Sequence, residues 1–410
     1  MISVRSHRLP SSGNKWFVFL CLGLILGACS PKIQPTAKPQ LPPPVSVQKP
    51  VVIAPTPVIP VLTTRNISLL LPFDLAQADT PTDDAILAID YYQGFKLALD
   101  SLTAQGYNYK LQVFDSNSNA AGGHSLAQNP KVRASDLIVG PVFPESLKQF
   151  TVATATLNKP IISPLSPAPP SDYKTPNLVT VMPPLAYHAI YTAKFIVQRI
   201  KPIKIFLLKS GYSEENKFII PFNHAVDTIG KGLVTVIPIT VVHGNLDALT
   251  SQLSKTGENI FVVPATDEPF LLATMPSLDK LAQSYPITVF GHPSWLKATY
   301  LQPELLQRLK THITTADRIN YKSPAITNFI RNYKKIYHIE PTEYAIKGFD
   351  EGYYLGSLLS TDLAKFKQLD QYNYNGLLND FNFKKTEGSG WVNTHVRMLL
   401  YQNYDLKPVE

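Results

Sequence analysis

From Arg65 onward, short apolar runs alternate with amphipathic segments. The runs Ile67 to Leu71, Lys110 to Phe114, Leu137 to Val139, Pro160 to Ile162, Ile203 to Leu208, Leu233 to Val242, Ile260 to Val263 and Ile287 to Phe290 read as strands, several of them apolar on both faces. Between them Ile89, Tyr92, Phe95, Leu99 and Leu102 recur at spacings of three and four, as do Ile326, Phe329, Ile330, Tyr333 and Ile336. Ser323 and Pro324 suit the start of that second helix, serine as the cap and proline at the first helical position. Strict alternation of strand and helix predicts parallel sheets covered on both faces. About 340 residues exceed one such sheet, so the pattern predicts two lobes. Gly348, Gly352 and Gly356 form a stripe on a further helix, and Lys347, Asp350 and Glu351 beside it exclude a lipid setting. That helix is expected to pack tightly on a sheet or another helix, with Asp350 capping or bridging.

The segment before Arg65 has a different pattern. Arg5, Arg8 and Lys15 precede an apolar run, Trp16 to Leu26, that is too short for a mature membrane span. Ile25-Leu26-Gly27-Ala28-Cys29 ends it and resembles the lipobox of bacterial lipoprotein signal peptides, which implies cleavage of residues 1–28 and lipidation of Cys29. An ordinary signal peptide and an uncleaved anchor that happens to contain Cys29 are the alternatives. Residues 31–62 hold ten prolines and no core-building periodicity. At about 3.1 Å per residue, a semi-extended tether of this length reaches about 80 to 100 Å. Ser30 follows Cys29 where many inner-membrane lipoproteins of Gram-negative bacteria carry Asp, and Pro31 to Gln34 lack an acidic cluster. The expected location is the cell envelope, on the periplasmic face of the outer membrane.

Composition narrows the function. The chain has 38 Lys+Arg and 30 Asp+Glu. Removal of residues 1–28 takes three of the basic residues and leaves a formal charge of +5, without a dense basic run, so no nucleic acid is expected as a partner. Cys29 is then the one cysteine left, and a domain this large buries a core without disulfides. Catalysis finds little support. His124, His188, His224, His243, His292, His312 and His338 sit in separate segments, with no HExxH or HxxxH pair, and neither a Gly-x-Ser-x-Gly elbow nor a phosphate-binding loop is present. The adjacent carboxylates Asp83-Asp84 and Glu214-Glu215 point apart on a helix. The chain is therefore expected not to be an enzyme and to need no cofactor or metal.

Parallel sheets place ligand contacts in the loops after their strands. Those loops are rich in hydroxyls, aromatics and single acids, and the candidates are Phe143, Glu145, Ser146, Ser163, Ser166, Ser210, Tyr212, Thr266, Asp267, Glu268 and His292. Serine and aspartate at such turns also serve as helix caps and Asx turns. Tyr91-Tyr92-Gln93-Gly94-Phe95 with Leu97-Ala98-Leu99, Val139-Gly140-Pro141, Pro160 to Ser166, and Tyr344 to Asp350 resemble, in their order, the type I periplasmic binding proteins of the leucine/isoleucine/valine-binding kind. Asn259 to Asp267, Val289 to Trp295 and Gly376 to Phe383 resemble an envelope-lipoprotein subgroup named as amino-acid transporter substrate-binding proteins. The resemblance covers about residues 65–405.

It implies an α/β fold of the type I periplasmic-binding-protein kind, with two doubly wound parallel-sheet lobes joined by three crossovers. Lobe 1 is expected at 65–183 plus 318–363, and lobe 2 at 184–317 plus 364–410. It also implies hydroxyls around 144–146 and 163–166 for a ligand carboxylate, and two acids for its ammonium. The first crossover, Met182 to His188, has no acid, so Asp267 or Glu268 alone would supply the carboxylate, and burying an ammonium so poorly paired is unfavourable. Two functions follow. One is a lipid-anchored solute-binding protein closing on a small polar ligand (amino-acid-like, a peptide or a cell-wall fragment) and handing it to a transporter permease. The other is an outer-membrane regulator that uses the same fold for protein contacts, as lipoprotein activators of peptidoglycan synthases do, with a cell-wall synthase as partner. The polar strand-end loops favour the first; the missing acid and the long tether favour the second. The binder is the leading expectation.

Overall fold

A computed structural model describes residues 63–75, 81–117, 119–385 and 389–409. The signal segment, Cys29 and the proline-rich tether lie outside the described residues. The chain first builds β1 (Arg65–Leu71), α1 (Asp83–Thr103), β2 (Tyr109–Asp115), α2 (Ala120–Gln128), α3 (Pro130–Ala134), β3 (Leu137–Val139), α4 (Pro144–Ala153), β4 (Ile161–Ser163) and β5 (Leu178–Thr180). It crosses over and builds α5 (Leu185–Phe195), β6 (Lys204–Lys209), α6 (Asn216–Gly230), β7 (Thr235–Thr240), β8 (Asn259–Val263), α7 (Glu268–Ala282), β9 (Ile287–Gly291), α8 (Pro303–Arg308) and β10 (His312–Thr315). A second crossover leads to α9 (Pro324–Tyr337) and α10 (Glu343–Thr361), then to β11 (Tyr374–Asn375), β12 (Asp380–Phe381), β13 (Phe383–Lys385) and β14 (Trp391–Asn393). A third leads to β15 (Arg397–Gln402) and β16 (Asp405–Pro408).

The strands form two seven-stranded sheets, in the orders β13-β14-β5-β4-β3-β1-β2 and β16-β15-β10-β9-β8-β6-β7. The first sheet is parallel except for β13, and the second is parallel through β10, with β15 antiparallel to β10 and β16 antiparallel to β15. Ile67 of β1 stands between Leu111 and Leu137, so β1 marks the point where strand order reverses, as β6 does in the second sheet. Each sheet has an apolar layer on both sides. Tyr91, Phe95, Leu355 and Leu359 cover one face of the first, and Leu126, Leu147 and Phe150 the other. Full burial of such a side chain stabilises by about 1.5–3 kcal/mol before entropy is counted. Ser323 caps α9 with Pro324 in its first turn, as its sequence predicts.

The glycine stripe of α10 lies against α1. A Cβ on Gly348 would stand 2.1 Å from the Tyr91 carbonyl oxygen, and one on Gly94 1.8 Å from that of Ala345, so the two backbones are in direct contact. Asp350 bridges: its carboxylate accepts the backbone N–H groups of Leu377, Leu378 and Asn379 at 2.8 to 3.0 Å. That anchor corrects the expected lobe boundary. It keeps the chain after α10 on the first lobe, where β14 pairs with β5 and Phe381, Phe383 and Trp391 join the core. The strands β13 and β14 thus belong to the first sheet, not to lobe 2, and of the described strands in the segment 364–410 only β15 and β16 complete the second sheet.

Candidate functional site

The two doubly wound sheets bring their carboxyl-end loops toward the crossovers, and a cavity of about 510 Å³ lies there. Leu165 and Pro167, from the loop after β4, and Glu343, Tyr344 and Lys347 of α10 line it from the first lobe. His292, Ser294, Leu296 and Lys297 line it from the second, with Thr314 and Thr315 at the end of β10, and Met182, Pro183, Ala316 and Asp317 line it from the crossovers. His188 forms its floor, with Nδ1 3.0 Å from the Thr314 hydroxyl. Burial pulls the His188 imidazole down to about 4, and that of His292 likewise to about 4, so both rings are neutral at pH 7.

Charged groups in the cleft are already paired. Lys347 donates to Asp317 at 2.7 Å, with its side chain 7 % exposed against 28 % for the carboxylate. Asn379 Nδ2 donates to the other Asp317 oxygen at 2.6 Å. One turn further along α10, the fully buried Glu351 accepts the Tyr91 hydroxyl at 2.7 Å. Burial holds the Glu351 carboxyl well above the usual carboxylate range, although the Tyr91 hydroxyl and the Lys347 ammonium act the other way. At the mouth, Lys297 of the second lobe reaches Glu343 of the first at 3.3 Å.

A second cavity, of about 430 Å³, adjoins the cleft on the second lobe and shares Leu185 and His292 with it. It gathers Ser210, Tyr212, Thr266, Asp267 and His292, five of the residues singled out from the sequence. Three of these also hold local structure. Glu215 accepts the Ser210 N–H and hydroxyl, Asp267 caps α7 through the Phe270 N–H at 2.9 Å, and His292 Nδ1 accepts the Ser294 N–H at 3.1 Å. Tyr212 and Thr266 are exposed, and Glu268 stands exposed in the first turn of α7.

The first-lobe candidates sit elsewhere. Ser146 is buried in α4 beneath Gly123, and its hydroxyl has no hydrogen-bond partner among the described residues. The Ser163 hydroxyl donates to the Ser166 carbonyl at 3.4 Å, and both serines are buried while Leu165 and Pro167 face the cleft. Phe143 occupies the cap position of α4 without a side-chain cap bond, and Glu145 is exposed beside it. His188, Thr314, Asp317 and Lys347 were missed as cleft residues. Lys347 and Glu351, charged residues one turn apart beside the glycine stripe of α10, are the available signal. A further cavity, of about 350 Å³, opens at the other end of the first sheet, where β4, β5 and β14 begin. Among the described residues no cluster of three His, Cys, Asp or Glu could hold a metal, and no helix is long and apolar enough to cross a membrane.

Two doubly wound lobes, three crossovers and a cavity between the lobes define the type I periplasmic-binding-protein fold, and the chain has that fold. It is similar over 85% of its length to the whole of a protein from Rhodospirillum rubrum assigned as a branched-chain amino acid ABC transporter, with 16% identity and a TM-score of 0.63. An ABC transporter substrate-binding protein from Desulfitobacterium hafniense, solved in complex with leucine, matches at 15% identity and a TM-score of 0.55, over 85% of this chain and all of its own. The C-domain of LpoA from Haemophilus influenzae, a regulator of PBP1A, matches over its full length and 84% of this chain, at 15% identity and a TM-score of 0.57. No protein-family model and no curated protein matches the sequence.

Proposed function

We propose that this chain is an envelope binding protein, held by lipid on Cys29 at the periplasmic face of the outer membrane, whose lobes close on a small ligand that is not a free α-amino acid. The observation that carries the reading is the cleft of about 510 Å³ lined from both lobes and two crossovers, the geometry in which hinge closure buries a ligand. Its two carboxylates, Asp317 and Glu343, are paired with Lys347 and Lys297, so a ligand ammonium would have to displace a lysine. Leu165, Pro167, Met182 and Leu296 offer apolar walls, and the neutral His188 and His292 offer hydrogen bonds without charge. A peptide or cell-wall fragment with a largely neutral contact face suits this lining. The exposed second-lobe residues Tyr212 and Thr266, with Asp267, extend the surface on which a longer ligand rests.

A thermal-shift screen of amino acids, short peptides, muropeptides and sugars tests the reading, because a ligand at a hundredfold excess over Kd adds about 2.7 kcal/mol. A shift with peptides or muropeptides that Tyr212→Ala and Asp267→Ala reduce supports it. A shift with free amino acids alone contradicts the ligand class. The burial of Ser146 and Ser163 favours a second reading, in which the fold serves as a protein-interaction module and the partner is a cell-wall synthase. A silent screen together with recovery of such a synthase by crosslinking in cells decides for that module.

A further inference from the structure

Behind the hinge lies another cavity, of about 530 Å³, lined by the second crossover, the start of α9, the far side of α10, the β11 hairpin and the first residue of β15. The helix α10 stands between it and the cleft. Tyr344 and Lys347 face the cleft, whereas Phe349 and Tyr353 face the rear, as the turn of about 100° per helical residue requires. The crossover divides its side chains the same way: Asp317 lines the cleft and the next residue, Arg318, lines the rear. Asp317 is held in an antiparallel bridge with Asn379, and the Arg318 N–H donates to the Leu378 carbonyl at 2.9 Å. Alternate directions are what an extended segment imposes, so the rearward aim of Arg318 is set by backbone bonds.

The lining of this cavity suits an anion. Among the described residues two arginines, Arg318 and Arg397, line it, and no Asp or Glu does. Arg397 is neutralised by Asp380, to which it donates while its Nε donates to His395. Arg318 is half-buried and forms no salt bridge among the described residues. Asn320 and Asn375 add amide groups, and the rings of Phe349, Tyr353 and Tyr374 form one wall, with neighbouring centroids 6.0 and 6.4 Å apart. A cavity of this size has room for much more than one inorganic ion.

We infer that the rear cavity binds a phosphate or carboxylate group borne on a flat ring, with Arg318 holding the anion and the Tyr353 side holding the ring. Arginine matches both anions through paired N–H donors, and an aromatic wall favours a ring over a bare ion. The site is separate from the cleft ligand and does not depend on what that ligand is. Because residues of the second crossover line it together with Arg397, where the third crossover enters β15, its occupancy biases the same hinge on which the lobes move, which makes it an effector site.

The test is calorimetric titration of the chain from residue 29, carrying Cys29→Ser, with phenyl phosphate, benzoate and inorganic phosphate. One ring-borne anion is expected to bind at one site per chain and more tightly than inorganic phosphate, and the stronger of the two identifies the anion. Arg318→Ala is expected to weaken it by at least about tenfold while leaving the ligand-free melting temperature unchanged. Arg318→Gln gives the same reading if the alanine variant loses its fold. Absence of binding by all three probes at millimolar concentration overturns the inference. So does an affinity in both Arg318 variants equal to that of the unsubstituted chain, or binding lost in His188→Gln but retained in Arg318→Ala.

Discussion

Asp317→Asn tests how the hinge is held. The Lys347 ammonium stands 2.7 Å from Asp317, and the two ends of the pair are unequally hydrated, at 7 % and 28 % side-chain exposure. Asparagine keeps the shape of Asp317 and an acceptor for Asn379, but it leaves a buried ammonium without its counter-charge. Glu351 is a poor substitute, since burial raises its carboxyl well above the usual carboxylate range and so disfavours the charged form that would be needed. Removing one partner of a buried pair costs about 3–5 kcal/mol, and the partial access of water to this site places the loss near about 3 kcal/mol. Lys347→Met retains the apolar stem and leaves Asp317 with water and the Asn379 amide at 2.6 Å, a loss of about 1 kcal/mol. The double variant should resemble Lys347→Met alone, giving a coupling energy of about 3 kcal/mol. Urea unfolding followed by circular dichroism at pH 7.5, with slopes compared among the four proteins, measures all three values. A loss in Asp317→Asn no larger than in Lys347→Met, or strict additivity, refutes the reasoning.

Other outcomes follow from the same geometry. Gly94→Ala puts a Cβ 1.8 Å from the Ala345 carbonyl oxygen, so α1 and α10 must part, and the loss should be at least about 3 kcal/mol by urea unfolding; a change within about 0.5 kcal/mol contradicts the close packing. His188 binds a proton in the unfolded chain with a pKa near 6.5 and in the fold only near about 4, so its contribution is full above pH 6.5 and is lost as pH falls toward 4. Between pH 7.5 and 5 this amounts to about 2 kcal/mol, and His188→Gln should flatten the stability profile over that window by this amount. Cys29→Ala should abolish lipid labelling and detergent partitioning of the processed protein; membrane association that survives the substitution contradicts the anchor.

The sequence made the sheet cores legible, because β1, β6, β8 and β9 are short runs apolar on both faces. It also placed the glycine stripe and the Asp350 bridge. The strands β5 and β10 leave little trace in the sequence, since Leu178–Thr180 and His312–Thr315 are three and four residues long and each holds only one or two apolar residues beside threonine. The return of β13 and β14 to the first sheet was missed because pairing across more than two hundred residues leaves no periodic trace in two three-residue strands. Site residues were harder still. Ser210, Asp267 and His292 carry the same side chains whether they hold a local turn or meet a ligand, and in this fold they line a cavity while Asp267 and His292 cap helical turns and Ser210 donates to Glu215. Cleft residues such as Asp317 and Lys347 come from a crossover and a buried helix, outside the strand-end loops where ligand contacts were sought.

If the two lobes close on a ligand in the cleft, the distance between them shortens, and an inter-lobe distance measures this most directly. Glu145 and Ser294 are exposed on opposite lobes after β3 and β9. Cysteines at these two positions, in the chain from residue 29 with Cys29→Ser, carry spin labels for a pulsed dipolar measurement with and without the peptide or muropeptide that gives a thermal shift. Closure predicts a distance distribution that moves to shorter values and narrows at saturating ligand. An unchanged distribution at saturation, with the thermal shift still present, contradicts it.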